Sequence, residues 1–133
     1  MTRVDHNRPA LVAAARASIR RGSKSFAAAS RLFDRETRER VWLLYAWCRA
    51  CDDITDGQTL GHDAVRVADP AARIAFLQDR TAAAFAGEET GLVPFDSLRV
   101  VAAECKIPQA IAADHLAGFE RDNKLLKERL ADS

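Results

Sequence analysis

The stretch Val41-Trp42-Leu43-Leu44-Tyr45-Ala46-Trp47-Cys48-Arg49-Ala50-Cys51-Asp52-Asp53-Ile54-Thr55-Asp56 begins as an apolar helix and ends as a cluster of carboxylates. Wound at about 100° per residue with Tyr45 as zero, Arg49 falls near +40°, Asp52 near −20° and Asp56 near +20°. One face then carries a phenol, a guanidinium and two carboxylates, turn upon turn. Asp53 lies to one side, near +80°, and Val41 and Cys48 flank the other. Two like charges at i, i+4 destabilise an isolated helix by roughly 0.2–0.5 kcal/mol, and more if the local dielectric is low. Two arrangements relieve that repulsion. A hard divalent cation such as Mg²⁺ can sit between the carboxylates and share its remaining sites with water and a substrate phosphate, with Arg49 as a second cationic group for that phosphate. Alternatively the face is simply solvated.

Outward from this helix, the residues before it punctuate. Asp34 has the character of its N-cap, and Glu36 in the first turn suits the helix dipole. Arg35, Arg38 and Arg40 are expected on the solvent side. Further upstream, Gly22-Ser23-Lys24-Ser25-Phe26 interrupts an Ala-rich helix over 11–19 that Pro9 can open. Ser23 is a candidate N-cap for the next Ala-rich run, Ala27 to Leu32. Two hydroxyls and a lysine at a helix start also suit a phosphate group, so capping and anion binding both stand.

Downstream, Gly57 and Gly61 bracket a polar connection with His62 and Asp63. Asp69-Pro70 reads as N-cap and first turn of a helix ending near Ala86. Gly87 to Pro94 reads as a loop and Phe95 to Cys105 as a helix with Leu98 and Val101 inward. Ile107-Pro108 precedes a last helix, with Ile111, His115 and Phe119 on one side. From Arg121 the chain turns polar. No segment alternates with period two long enough for a strand. The fold class expected is all-α, with about five or six helices.

Composition narrows the function. The 133 residues hold 48% hydrophobic and 29% charged side chains, in the globular range. With 20 basic against 19 acidic residues, no basic excess points to nucleic acid. No apolar run approaches the roughly 18 residues of a membrane span, so a cytoplasmic location is expected, with peripheral membrane contact if the substrate is greasy. Cys48, Cys51 and Cys105 are too few for a disulfide framework. Cys48 and Cys51 have half a zinc spacing but no second pair, which favours small apolar helix residues. His6, His62 and His115 are expected at the surface.

The Gly22-to-Phe26 element followed by a Tyr-x-x-x-Arg-x-x-Asp-Asp-x-x-Asp helix resembles the squalene/phytoene synthase family, in the wording of its carotenoid-forming bacterial members. The resemblance covers roughly residues 14–122, with a divergent tail over 123–133. It implies an isoprenoid-synthase-type helical bundle. It implies Asp52, Asp53 and Asp56 as an aspartate-rich motif holding Mg²⁺ (or Mn²⁺) against a prenyl diphosphate, and Tyr45 and Arg49 as catalytic groups beside it. Ser23, Ser25, Phe26 and Arg49 would line the diphosphate site. The implied reaction is head-to-head joining of two geranylgeranyl diphosphates to phytoene through a cyclopropyl diphosphate. Two departures stand out. Many relatives carry His where this chain has Gly22. Family members also need a second aspartate-rich helix, whereas here no aspartates other than Asp52 and Asp56 stand four apart. The chain therefore reads as one incomplete domain, the N-terminal half of such an enzyme, inactive alone and prone to self-association through exposed apolar surface. The alternatives are a squalene-type synthase using shorter prenyl diphosphates and a non-catalytic helical relative acting in assembly or binding.

Overall fold

The computed structural model describes residues 6–55 and 70–131. Six helices follow in order: α1 (Arg8–Gly22), α2 (Lys24–Ser30), α3 (Arg35–Thr55), α4 (Pro70–Phe85), α5 (Val93–Cys105) and α6 (Gln109–Ala131). No strand occurs among the described residues, as an all-α chain requires.

Local chemistry sets most boundaries. Asn7 accepts from the Ala10 amide at 2.9 Å and caps α1, with proline in the first turn. The Ser23 hydroxyl accepts from the Phe26 amide at 3.3 Å, and the Asp34 carboxylate accepts from the Thr37 amide at 2.7 Å. Both expected caps are therefore in place. Just past the end of α4, Gly87 has a φ of 82° that lets Glu88 donate back to the Ala83 carbonyl. Asp69 and the 57–68 connection, with His62 and Asp63, lie outside the described residues.

α3 is the axle. Leu43, Trp47, Cys51 and Ile54, on the side opposite Tyr45, are all buried. They pack with Leu11 and Val12 of α1, Leu77 and Ala84 of α4, Phe95, Leu98 and Val101 of α5, and Ala112 and Leu116 of α6. Fully burying such a side chain is worth about 1.5–3 kcal/mol, so this apolar stripe fixes the rotation of α3. The Trp47 indole also donates to Thr81 on α4 at 3.2 Å.

Some expectations change. α5 begins at Val93, so Pro94 lies in its first turn rather than closing a loop. On α6, Ala112 and Leu116 are buried, while Ile111 is 60% exposed. Of the row Ile111, His115 and Phe119, only Phe119 packs against the core, while the exposed His115 keeps ring contacts with Trp47 and Phe119. Arg38 and Arg40 are half-buried rather than solvent-side. Arg38 lies over the Trp42 ring and Arg40 pairs with Glu36 and Glu104. His6 is not a surface residue either. Its side chain is 10% exposed and its Nδ1 meets Asp96 at 2.5 Å.

Candidate functional site

Because the Leu43–Trp47–Cys51–Ile54 stripe faces the core, Tyr45, Arg49 and Asp52 emerge together on the other side of α3. α1 and α2 frame this face. The Phe26 ring stacks on Tyr45 with centroids 5.2 Å apart and planes 21° from parallel. Gly22, the last residue of α1, approaches so closely that a Cβ there would stand 3.0 Å from the Tyr45 hydroxyl and 3.9 Å from Arg49 Nη1. The structure thus brings Tyr45, Phe26, Arg49 and Gly22 into one cluster. Ser23 is adjacent, its hydroxyl engaged in capping α2. Ser25 is exposed on the first turn of α2.

The carboxylates occupy the last turns of α3. Arg49 Nε lies 3.2 Å from Asp53 Oδ1, so Asp53 is already paired, while Asp52 is exposed. Asp56 lies outside the described residues. Among the described residues no three His, Cys, Asp or Glu side chains gather into a metal site. The donor set nonetheless fits Mg²⁺ chemically. It offers carboxylate oxygens and no softer ligand. It also sits at the negative end of the α3 dipole, where a cation is favoured and a carboxylate is not. No basic residue of α3 itself occupies that last turn.

α4 contributes there instead. Arg73 Nη1 donates to the Thr55 carbonyl at 3.4 Å, while the Thr55 hydroxyl turns back to the Cys51 and Asp52 carbonyls at 2.9 and 3.0 Å. Arg73 and Gly22 were not among the candidate residues. Arg73 is 18 residues from its partner, with an unremarkable sequence context. Gly22 carries a signal only as a glycine ending a helix that meets the tyrosine face.

The two cysteines behave as apolar residues. Burial pushes the Cys51 thiol far above its ordinary value. Burial, aided by the nearby Asp52 charge, raises Cys48 as well. Neither is disposed to form the thiolate that zinc would need.

Chemically, the arrangement offers a cationic guanidinium and a phenol beside a carboxylate pair at a helix C-terminus. Such a surface can hold a phosphate ester through a bridging divalent cation. The squalene/phytoene synthase family model matches residues 19–129. The chain is 45% identical over 118 residues to the 15-cis-phytoene synthase of Pantoea ananas, which covers 87% of this chain and 38% of that protein. It is 42% identical over 118 residues to the phytoene synthase of Pseudescherichia vulneris, with the same coverage. Against the 15-cis-phytoene synthase of Paracoccus sp. it is 40% identical over 122 residues, 92% of this chain and 40% of that protein. The chain thus spans about two-fifths of the length of these relatives. No solved structure matches it.

Proposed function

The chain belongs to the squalene/phytoene synthase family, and from this premise we propose that its α3 face is the diphosphate-binding wall of a phytoene-forming prenyl transferase. The substrate class is a prenyl diphosphate, geranylgeranyl diphosphate in this reading, and the product of two such molecules is phytoene. The observation that carries the proposal is the division of α3. Its apolar stripe is locked in the core, leaving Tyr45, Arg49 and Asp52 aligned on the free face with Phe26 stacked against Tyr45.

Asp52, with Asp56 one turn on in the sequence and Asp53 beside it, would hold Mg²⁺, or Mn²⁺ in its place. When bound, the ion neutralises charge on the departing diphosphate. Arg49 places a guanidinium one turn before Asp52, suited to two diphosphate oxygens at once. The Tyr45 hydroxyl, held by the Phe26 stack, can donate to the same group. Phe26 supplies an apolar wall that keeps water from a developing carbocation. The Ser23 hydroxyl, used as an acceptor by its cap, still has a proton to donate, and Ser25 is open to solvent on the same turn. With one pair of aspartates at this spacing, the 133 residues alone bind diphosphate from one side and do not turn it over.

Titration of the chain with geranylgeranyl diphosphate, with and without Mg²⁺, tests this. Mg²⁺ should add a binding component, and Asp52→Asn should weaken that component by about tenfold or more, the loss of one charge-assisted contact. Farnesyl diphosphate in parallel separates the shorter-chain alternative. Absence of any Mg²⁺-dependent binding, or Mg²⁺-dependent binding that Asp52→Asn leaves intact, would overturn the assignment and favour a non-catalytic relative.

A further inference from the structure

A second cluster of arginines lies away from the α3 carboxylates. α1, α2 and the N-terminal half of α3 enclose a cleft of about 670 Å³, within the range of small-molecule sites. Arg16, Arg20, Arg31 and Arg38 line it around Trp42. None of the residues gathered around Gly22 and Tyr45 lines it. Along the α3 axis, Arg38 is 14 residues before Asp52, about 21 Å at 1.5 Å per residue.

The charge balance in this cleft is uneven. Glu39 is the one carboxylate among its lining residues, and Arg8 at 2.7 Å and Arg35 at 3.5 Å already claim it. Arg16, Arg20, Arg31 and Arg38 make no ion pair among the described residues. Two of them are nevertheless held in position. The Arg16 and Arg38 guanidinium carbons lie 5.8 and 5.5 Å from the Trp42 ring centroid. Trp42 itself is anchored by donating to the Ser30 hydroxyl at 3.0 Å. A π face attracts a guanidinium but accepts none of its in-plane N–H bonds. Arg38 Nε is accordingly buried without a hydrogen-bond partner. Buried donors are ordinarily satisfied, and preorganised guanidiniums match the paired oxygens of phosphate.

We propose that this cleft is a separate binding site for a phosphate-bearing anion, gripped by Arg16 and Arg38 from the Trp42 ring and by Arg20 and Arg31 from the rim. Val12, Ile19 and Ala27 supply apolar wall, so the ligand can carry a hydrocarbon part. The same phosphate chemistry could come from a free oligophosphate or from a lipid headgroup. Leu32, 89% exposed directly after Arg31, is placed to touch a lipid surface.

The test uses the whole chain in EDTA, where a magnesium-dependent site is silent, so its result is independent of the function proposed above. Inorganic diphosphate is titrated while tryptophan fluorescence is followed, and flotation is measured with phosphatidylglycerol and with phosphatidylcholine vesicles. Saturable diphosphate binding, weakened about tenfold or more in the Arg16→Gln/Arg38→Gln pair, supports the site with a free phosphate as ligand. Flotation with phosphatidylglycerol alone, lost in the same variant, supports it with a lipid headgroup. The exposed pair Arg20→Gln/Arg31→Gln provides the same readout if the first variant folds poorly. Binding to neither probe, or binding that both variants retain, overturns the proposal.

Discussion

Gly22 ends α1 with its Cα turned towards the Tyr45 phenol. An alanine there would bring a methyl to 3.0 Å from the hydroxyl. That contact is tight, but the atom met is the far end of a side chain. Replacing helical glycine by alanine is worth up to about 0.5–1 kcal/mol. Gly22→Ala is therefore expected to leave the melting temperature unchanged or slightly raised while displacing Tyr45, so that Mg²⁺-dependent diphosphate affinity falls. Thermal unfolding and titration on the same sample separate the two effects. Asp96 is the opposite case, fully buried and fully used. It accepts from the Thr90 amide at 2.8 Å and the Thr90 hydroxyl at 2.9 Å, and meets His6 on its other oxygen. Asp96→Ala would strand these hydrogen-bonding partners and is expected to cost about 1–3 kcal/mol in denaturant unfolding. Nothing in the sequence marked Asp96, because its partners are a loop threonine and a histidine 90 residues away.

Among the elements, the two faces of α3 were legible, since a 3.6-residue period separates Leu43, Trp47 and Ile54 from Tyr45, Arg49 and Asp52 without reference to neighbours, whereas the half-burial of Arg38 and Arg40 on the same helix was not. The capped starts at Ser23 and Asp34 were equally local. α6 was less legible, because the shared side of Ile111, His115 and Phe119 did not say which residues neighbouring helices would bury, and these are Ala112 and Leu116. Likewise, the pairing of Arg49 with Asp53 rather than Asp52 needed side-chain positions. The ends of α4 and α5 invite comparison. Both close with a backbone amide reaching back five residues, Glu88 to Ala83 and Ile107 to Ala102. α4 uses Gly87 at the left-handed position, whereas α5 places Lys106 there at φ 52°. A left-handed non-glycine residue costs roughly 1–2 kcal/mol, partly offset by the entropy that glycine loses on folding. Lys106→Gly should therefore stabilise the chain by up to about 1 kcal/mol, read as a higher melting temperature with diphosphate binding unchanged.

At the scale of the molecule, a net charge of +1 conceals a strongly structured charge distribution. Arg8 donates to Glu104 at 2.6 and 3.0 Å and to Glu39 at 2.7 Å, and Arg40 joins Glu104 at 3.0 Å. One network thus ties the start of α1 to α3 and to the end of α5. Hydrogen bonds from Arg8 hold both Glu39 and Glu104 below their ordinary value of 4.5, against a smaller opposing effect of burial. The folded state consequently binds fewer protons in this range than the unfolded chain. The stability these groups contribute is present above about pH 4.5 and is lost as pH falls through their lowered folded values. Melting temperatures measured from pH 7 to pH 3 should decline at the acid end, with a shallower slope in Glu104→Gln. Long-range ties of this kind could not be read from the sequence, where Arg8 and Glu104 are two unremarkable charges 96 residues apart.

The same network has a bearing on how the chain is made. α1 packs on α3 and α5, yet 70 residues separate its end at Gly22 from the start of α5 at Val93. At about 5–20 residues per second on the ribosome, the apolar sides of α1 and α3 wait several seconds for the helix that covers them. Nascent chains arrested before α5 emerges should therefore be held by chaperones and cut readily by protease, and those arrested after it should be released.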